Sequence, residues 1–234
     1  MSTRSLGAIY SHAGAMTTMD DDTLLERSWE FREETLYCQH FGDTGPGIFP
    51  LDMDLLHGVF QQEEIDPRWL HVGVFACPPH GERRHWVYVS SGLSNAWEGP
   101  HEDGDSGFGV ELLMETQDEA PWALTTVRWF TAYQLLLCHG RMPGDPLSAW
   151  DRLKLGMPVD RADSALQAMV FIPAPHFPGP QQLPSGRFDF LQLLPVTLDE
   201  HAFGREHGFE AVLAQLSAVG AAPVVDPARG SIVG

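Results

Sequence analysis

The sequence predicts an α+β domain in which a mainly antiparallel or mixed central sheet is covered by helices. Three observations lead there. Several segments alternate apolar and polar residues with the period of a strand. Others repeat apolar residues at helical spacing and carry helix-boundary residues. The two kinds are interspersed without strict strand–helix–strand alternation, and there are no internal repeats and no obvious linker, so one domain is expected.

Residues 1–19 lack periodicity and read as a flexible lead-in, with the folded domain at 20–231. "DDDTLLERSWEFREETLYCQHFG" predicts a helix: Thr23 and Glu26 have capping-box spacing, Leu25, Trp29 and Leu36 share a face, and Gly42 follows the end. "GIFPLDM" is short and extended. "WLHVGVFAC" alternates and is stopped by Pro78 and Pro79. In "HWVYVSSGL", Trp86 and Tyr88 occupy one face and Val87, Val89 and Leu93 the other. In "GFGVELLM", Phe108, Val110, Leu112 and Met114 lie opposite Glu111. These two segments are expected to pair antiparallel. "PWALTTVRWFTAYQLLLCHG" predicts a helix with Pro121 at its first position and Gly140 at its exit, apolar on several sides and therefore packed on several sides. After the Pro/Gly-rich residues 141–158 come two more strands, "ALQAMVFIP" and "RFDFLQLLPV", joined by a Pro-rich loop. Thr197 and Glu200 repeat the capping-box spacing. Phe209, Val212, Leu213, Leu216 and Val219 then form an apolar stripe ending at Gly220, and the tail adds a short strand.

The bulk properties exclude several functions. The formal charge of −18, from 14 basic and 32 acidic residues, repels phosphate backbones, so no nucleic-acid partner is expected; a basic partner would be attracted. No apolar run is long enough to cross a bilayer. Cys38, Cys77 and Cys138 are odd in number and far apart, which fits free core thiols in a reducing cytoplasm.

Gly104-Asp105-Ser106-Gly107 has the form in which trypsin-like proteases present a nucleophilic serine. The position after Gly107 is Phe108, no histidine stands in the expected context, and "GLSNA" does not complete a nucleophile elbow. His101, Glu102, Asp103 and Asp105 suggest a cation loop, but Met114 stands where a calcium loop needs glutamate. Neither a metal nor a cofactor is expected, and dispersed histidines such as His85 read as surface or core residues. The tetrapeptide reads instead as a turn within a long acidic connection, Asn95–Ser106, between two strands.

"HWVYVSSGLS", the variable connection and "SGFGVEL" together resemble the central signature of the Suppressor of fused domain, through Tyr88, Gly92, Leu93, Ser94, Ser106, Gly107, Phe108, Gly109, Glu111 and Leu112. Pro121-Trp122, "FLQLLPVTLDE", "DPARGS" and "FREETLYCQHFGDTGPGIFPLD" are similar too, so the resemblance runs over about residues 25–231. It implies a mixed α/β domain that binds proteins and has no known catalytic centre. Animal members add a second domain, for which this chain is too short, and sequester a transcription factor of the Hedgehog pathway by holding a peptide as an added strand. Stand-alone bacterial members include proteins thought to confer immunity to toxins. The expectation is a non-enzymatic protein-binding domain, in the concrete case an immunity protein facing a basic toxin. Expected contacts are Trp97, Glu98, Glu102, Asp103 and Asp105, with Tyr88 as a nearby anchor. A peptide-binding scaffold and a serine- or metal-dependent hydrolase are the alternatives.

Overall fold

The computed structural model describes residues 19–97, 99 and 104–233, and the side chains of these from residue 23 onward. The expected lead-in therefore lies outside the described residues, except for Met19. The first helix is already under way at Met19, so Thr23 is an interior residue and not its cap. It runs as α1 (Met19–Glu30), a π-helical stretch (Phe31–Leu36) and α2 (Tyr37–Phe41).

Nine strands form one mixed sheet among the described residues. They are β1 (Phe49–Pro50), β2 (Gly73–Cys77), β3 (Trp86–Ser91), β4 (Asp105–Thr116), β5 (Arg152–Lys154), β6 (Leu166–Pro173), β7 (Gln181–Leu183), β8 (Gly186–Thr197) and β9 (Val224–Val225). The order is β1-β2-β3-β4-β8-β6-β5, with β7 on β8 and β9 on β4. β3 and β4 pair antiparallel as expected, Tyr88 opposite Met114. The pairing of β4 with β8 is parallel and joins segments far apart in sequence.

Three helical units cover the sheet. α3 (Pro121–Cys138) starts with Pro at its first turn, where a missing N–H costs nothing. Its Ala123, Val127 and Phe130 meet Tyr88, Leu112, Met114, Met169 and Phe171 in one core. Phe60 packs beside Trp129 (5.1 Å) and Trp129 stacks on Tyr133 (5.3 Å), so α3 is packed on several sides. On the opposite face, Leu36, Tyr37 and Phe41 cover Val87, Val89, Leu113 and Phe190. Further along, α4 (Leu198–His207) and α5 (Phe209–Ala218) bring Phe209, Val212 and Leu216 onto Ala168, Val170, Ile172 and Leu194. Successive side chains of a strand therefore serve opposite cores, which is why the alternation in β3, β4 and β6 is apolar on both sides.

The capping box at Thr197 is formed in full: its hydroxyl accepts from Glu200 N (3.2 Å), and Glu200 accepts from Thr197 N (2.9 Å). Val219, expected on the apolar stripe of α5, is 65% exposed because the helix ends at Ala218. The cysteines are free. Cys77 is buried, which pushes its thiol up to about 12, whereas Cys38 is exposed and is no core residue. No helix among the described residues is long and apolar enough to cross a membrane.

Candidate partner-binding site

The connection from β3 to β4 is shaped from beneath by one carboxylate. Glu111 stands on β4 at 0% exposure. Its Oε1 accepts from Gly92 N (2.9 Å), Ser94 N (2.9 Å) and Ser94 Oγ (2.6 Å), and its Oε2 accepts from the Ser90 hydroxyl. Two backbone N–H groups and two hydroxyls thus converge on a single buried anion, the arrangement that makes a buried carboxylate tolerable. Arg32 completes the balance. It projects from the π-helical stretch, fully buried, with Nη1 3.8 Å from Glu111 Oε1; Nη1 donates to Ser94 Oγ (3.0 Å) and Nε to Ser91 Oγ (3.1 Å). Ser91 in turn donates to Glu33 Oε1 (2.5 Å). Tyr37 donates to Ser90 O (2.5 Å), and its burial, with Glu111 nearby, pushes the phenol well above its usual range.

Of the tetrapeptide expected as a turn, Asp105, Ser106 and Gly107 belong to β4, while Gly104 precedes the strand. The β4–β8 register shifts between Asp105 and Val110, a bulge that Gly107 (φ +56°) permits. A Cβ on Gly107 would stand 2.6 Å from both Leu93 O and Asn95 O. Phe108 N donates to Leu93 O (2.9 Å), fastening the connection to the bulge. The Ser106 hydroxyl is buried; it donates to Ser94 O (2.7 Å) and lies 2.6 Å from Ser185 Oγ. Among the described residues it meets no imidazole, and these two contacts brace the connection.

Above this frame is a shallow groove of about 80 Å³, with Trp69, Asn95, Trp97, Phe108 and His139 among its lining residues. Phe108 is 38% exposed and meets the His139 ring edge-on at 5.4 Å; His139 lies 5.3 Å from Trp69. Trp97 is half-buried against His71 (5.9 Å), which touches Trp29 (6.0 Å). Trp69 Nε1 and Asn95 Oδ1 are buried without a hydrogen-bond partner among the described residues.

Of the residues expected to touch a partner, Trp97 stands at this groove. Asp105 is partly exposed, but its Oδ1 accepts from Arg187 Nε (2.8 Å), so its charge is offset within the chain. Tyr88 is a correction: it is 1% exposed, packs in the α3 core, and its hydroxyl accepts from Ala120 N (2.6 Å). Glu98, Glu102 and Asp103 lie outside the described residues, as does His101 of the suggested cation loop. Sequence reasoning did not single out Arg32 or His139, and it named Phe108 only as a strand and signature residue. Arg32 sits in a charged helical run that reads as solvent-facing, and His139 reaches Phe108 only through tertiary packing.

A mixed sheet with helices on both faces makes this a single α+β domain. The Suppressor of fused protein (SUFU) family matches residues 68–230, and this chain belongs to that family. Tyr37 and Phe41 precede the matched region yet are part of the core. No curated protein matches the sequence. Among solved structures, a SUFU homolog from Neisseria gonorrhoeae is 19% identical, covering 93% of this chain and 99% of that one, with a TM-score of 0.51. A chain in a structure described as the Sufu–Fu complex is 21% identical over 78% of this chain and 93% of its own, with a TM-score of 0.52. Drosophila Suppressor of Fused is 21% identical over 68% of this chain; its TM-score is 0.48, and this chain spans only 42% of the fly protein. At these identities the likeness is one of fold.

Proposed function

We propose that this chain is a non-enzymatic protein-binding module whose contact surface is the β3–β4 connection and the groove beneath it. The observation that carries the reading is the groove itself: Trp97 and Phe108 offer apolar area beside two buried polar atoms that lack partners among the described residues. Aromatic anchors of this kind dominate interface energetics because they bury large area at low entropic cost. The structure described as the Sufu–Fu complex has a protein partner on a similar fold, which supports the same class of activity.

The finer reading is an immunity protein, acting in the cytoplasm on a basic toxin domain. The −18 charge favours a cationic partner and raises its rate of encounter, and Glu98, Glu102 and Asp103 add acidic residues to the stretch of sequence that follows Trp97. The scaffold alternative, a peptide added at a sheet edge, gains little here. β1 has two residues, and β5 has three with Arg152 and Lys154 exposed; short, charged edges resist strand addition.

The test places a photo-crosslinking residue at position 97 and a control at exposed Met157, in the full chain within its native host. The expected result is a basic protein captured from position 97 alone. Its affinity should fall with salt, and both affinity and salt slope should drop in a Glu98→Lys/Glu102→Lys/Asp103→Lys variant. Equal capture from both positions, or an unchanged affinity and slope, would remove the connection from the interface.

A further inference from the structure

At the far end of β4, about 30 Å from Asp105 at strand spacing, a second carboxylate lies between two imidazoles. Glu115 is fully buried on β4, opposite Val87 of β3. His85 precedes β3, and His176 projects from the loop joining β6 to β7. His85 Nε2 lies 2.5 Å and His176 Nδ1 2.8 Å from the same oxygen, Glu115 Oε2. The two rings are stacked, 5.5 Å between centroids and 25° between planes. These three residues can each offer a ligand atom, all within 4.8 Å of one another.

Two features are not explained by ordinary hydrogen bonding. Glu115 Oε1 is buried and has no partner among the described residues. His85 Nε2, despite its short contact, is not aligned as a hydrogen bond and is likewise left without one. A buried carboxylate oxygen and a ring nitrogen that both lack partners are costly, and both are good metal donors.

We propose that His85, Glu115 and His176 form a site for a divalent transition-metal ion of the zinc class. Two imidazoles and one carboxylate select zinc or its neighbours over magnesium and calcium, which prefer all-oxygen sets. Tetrahedral ligation at about 2.0–2.1 Å holds ligand atoms about 3.3 Å apart. The imidazoles must therefore draw back from Oε2 by roughly half an ångström to one ångström, which His176 can do because its side chain is 44% exposed. Arg83 is the cation nearby; its guanidinium is held by the carbonyls of His85, Phe41 and Pro78. Binding must come from the ligand bonds and not from a general negative field. The ion would clip the β6–β7 loop to the end of β3 and β4, with one coordination position left for water or for a donor on a partner.

The full-length protein is titrated with Zn2+ against a chromophoric chelator, and separately with Co2+ while visible absorption is recorded. One Zn2+ per chain is expected, with the intense visible bands of low-coordinate Co2+. Affinity should fall at least ten-fold in His176→Ala and in Glu115→Gln and stay unchanged in His57→Ala, which alters an exposed histidine outside the cluster. His176→Ala, at a half-exposed loop position, keeps the test valid if Glu115→Gln fails to fold. No stoichiometric Zn2+ on the wild type, or an affinity that His176→Ala leaves unchanged, would overturn the proposal.

Discussion

Glu111→Gln isolates the charge at the centre of the connection. Glutamine matches the volume of glutamate, so no cavity opens. Its Oε1 can still accept from Gly92 N, Ser94 N and the Ser94 hydroxyl. What disappears is the negative charge facing Arg32 and the acceptor for the Ser90 hydroxyl. Removing one member of a buried ion pair costs about 3–5 kcal/mol, because the other charge is left uncompensated. Glu33, 3.6 Å from Arg32, is still there to offset part of it, which places the expected loss near 3 kcal/mol. That is a large share of the roughly 5–15 kcal/mol that holds a typical domain folded. Urea unfolding followed by tryptophan fluorescence reads it directly: with a slope of about 3 kcal/mol/M, the midpoint should fall by about 1 M. Arg32→Met added to Glu111→Gln should recover at least about 1 kcal/mol relative to the sum of the single variants. A midpoint shift below about 0.3 M, or strict additivity in the double variant, would show that the pair does not hold the connection.

Two further perturbations test the frame. Gly107→Ala forces a Cβ onto a left-handed backbone and within 2.6 Å of two carbonyl oxygens, so a loss of about 2–4 kcal/mol is expected in the same unfolding assay; a change below about 0.5 kcal/mol would contradict the bulge. Burial alone would raise the Glu200 carboxyl, but the hydrogen bonds from Arg229, Thr197 N and Ile232 N outweigh it and hold the group below its usual range. A depressed carboxyl contributes stability that is full above its unfolded value, about 4.3, and lost as pH falls through the folded one. Arg229→Met should therefore lower stability by about 2–4 kcal/mol near neutral pH and flatten the loss of stability as pH falls below the unfolded carboxyl value of about 4.3, as read from unfolding midpoints along the acid limb; an equally steep acid limb in the variant would refute this linkage.

Local physics made much of the fold legible. The alternation in β3, β4 and β6, the Pro-led α3 and the capping box at Thr197 are each decided by a few neighbouring residues, and each is present. The parallel join of β4 to β8 was not legible, because it depends on contacts between distant segments. Gly104-Asp105-Ser106-Gly107 has turn composition, yet its last three residues lie in a strand, since the bulge needs the same glycine freedom that a turn does. Arg32 looked like a surface charge; only the fold shows that Glu111 and two serines, Ser91 and Ser94, await it. His85, Glu115 and His176 are widely spaced in the chain, so no ligand-spacing rule could gather them. Trp97, expected as a partner contact, stands half-buried at the groove, whereas Tyr88 carried the same aromatic signal and went to the core.

The central claim is that a buried carboxylate holds the start of the β3–β4 connection, Gly92 to Ser94, rigid from below. Amide hydrogen exchange at Gly92 and Ser94 measures this most directly, because both N–H groups are assigned to Glu111 and to no other acceptor among the described residues. The account predicts protection comparable to that of the β3 and β4 strand amides, released in Glu111→Gln. Exchange at the rate of an open loop in the wild type would contradict it.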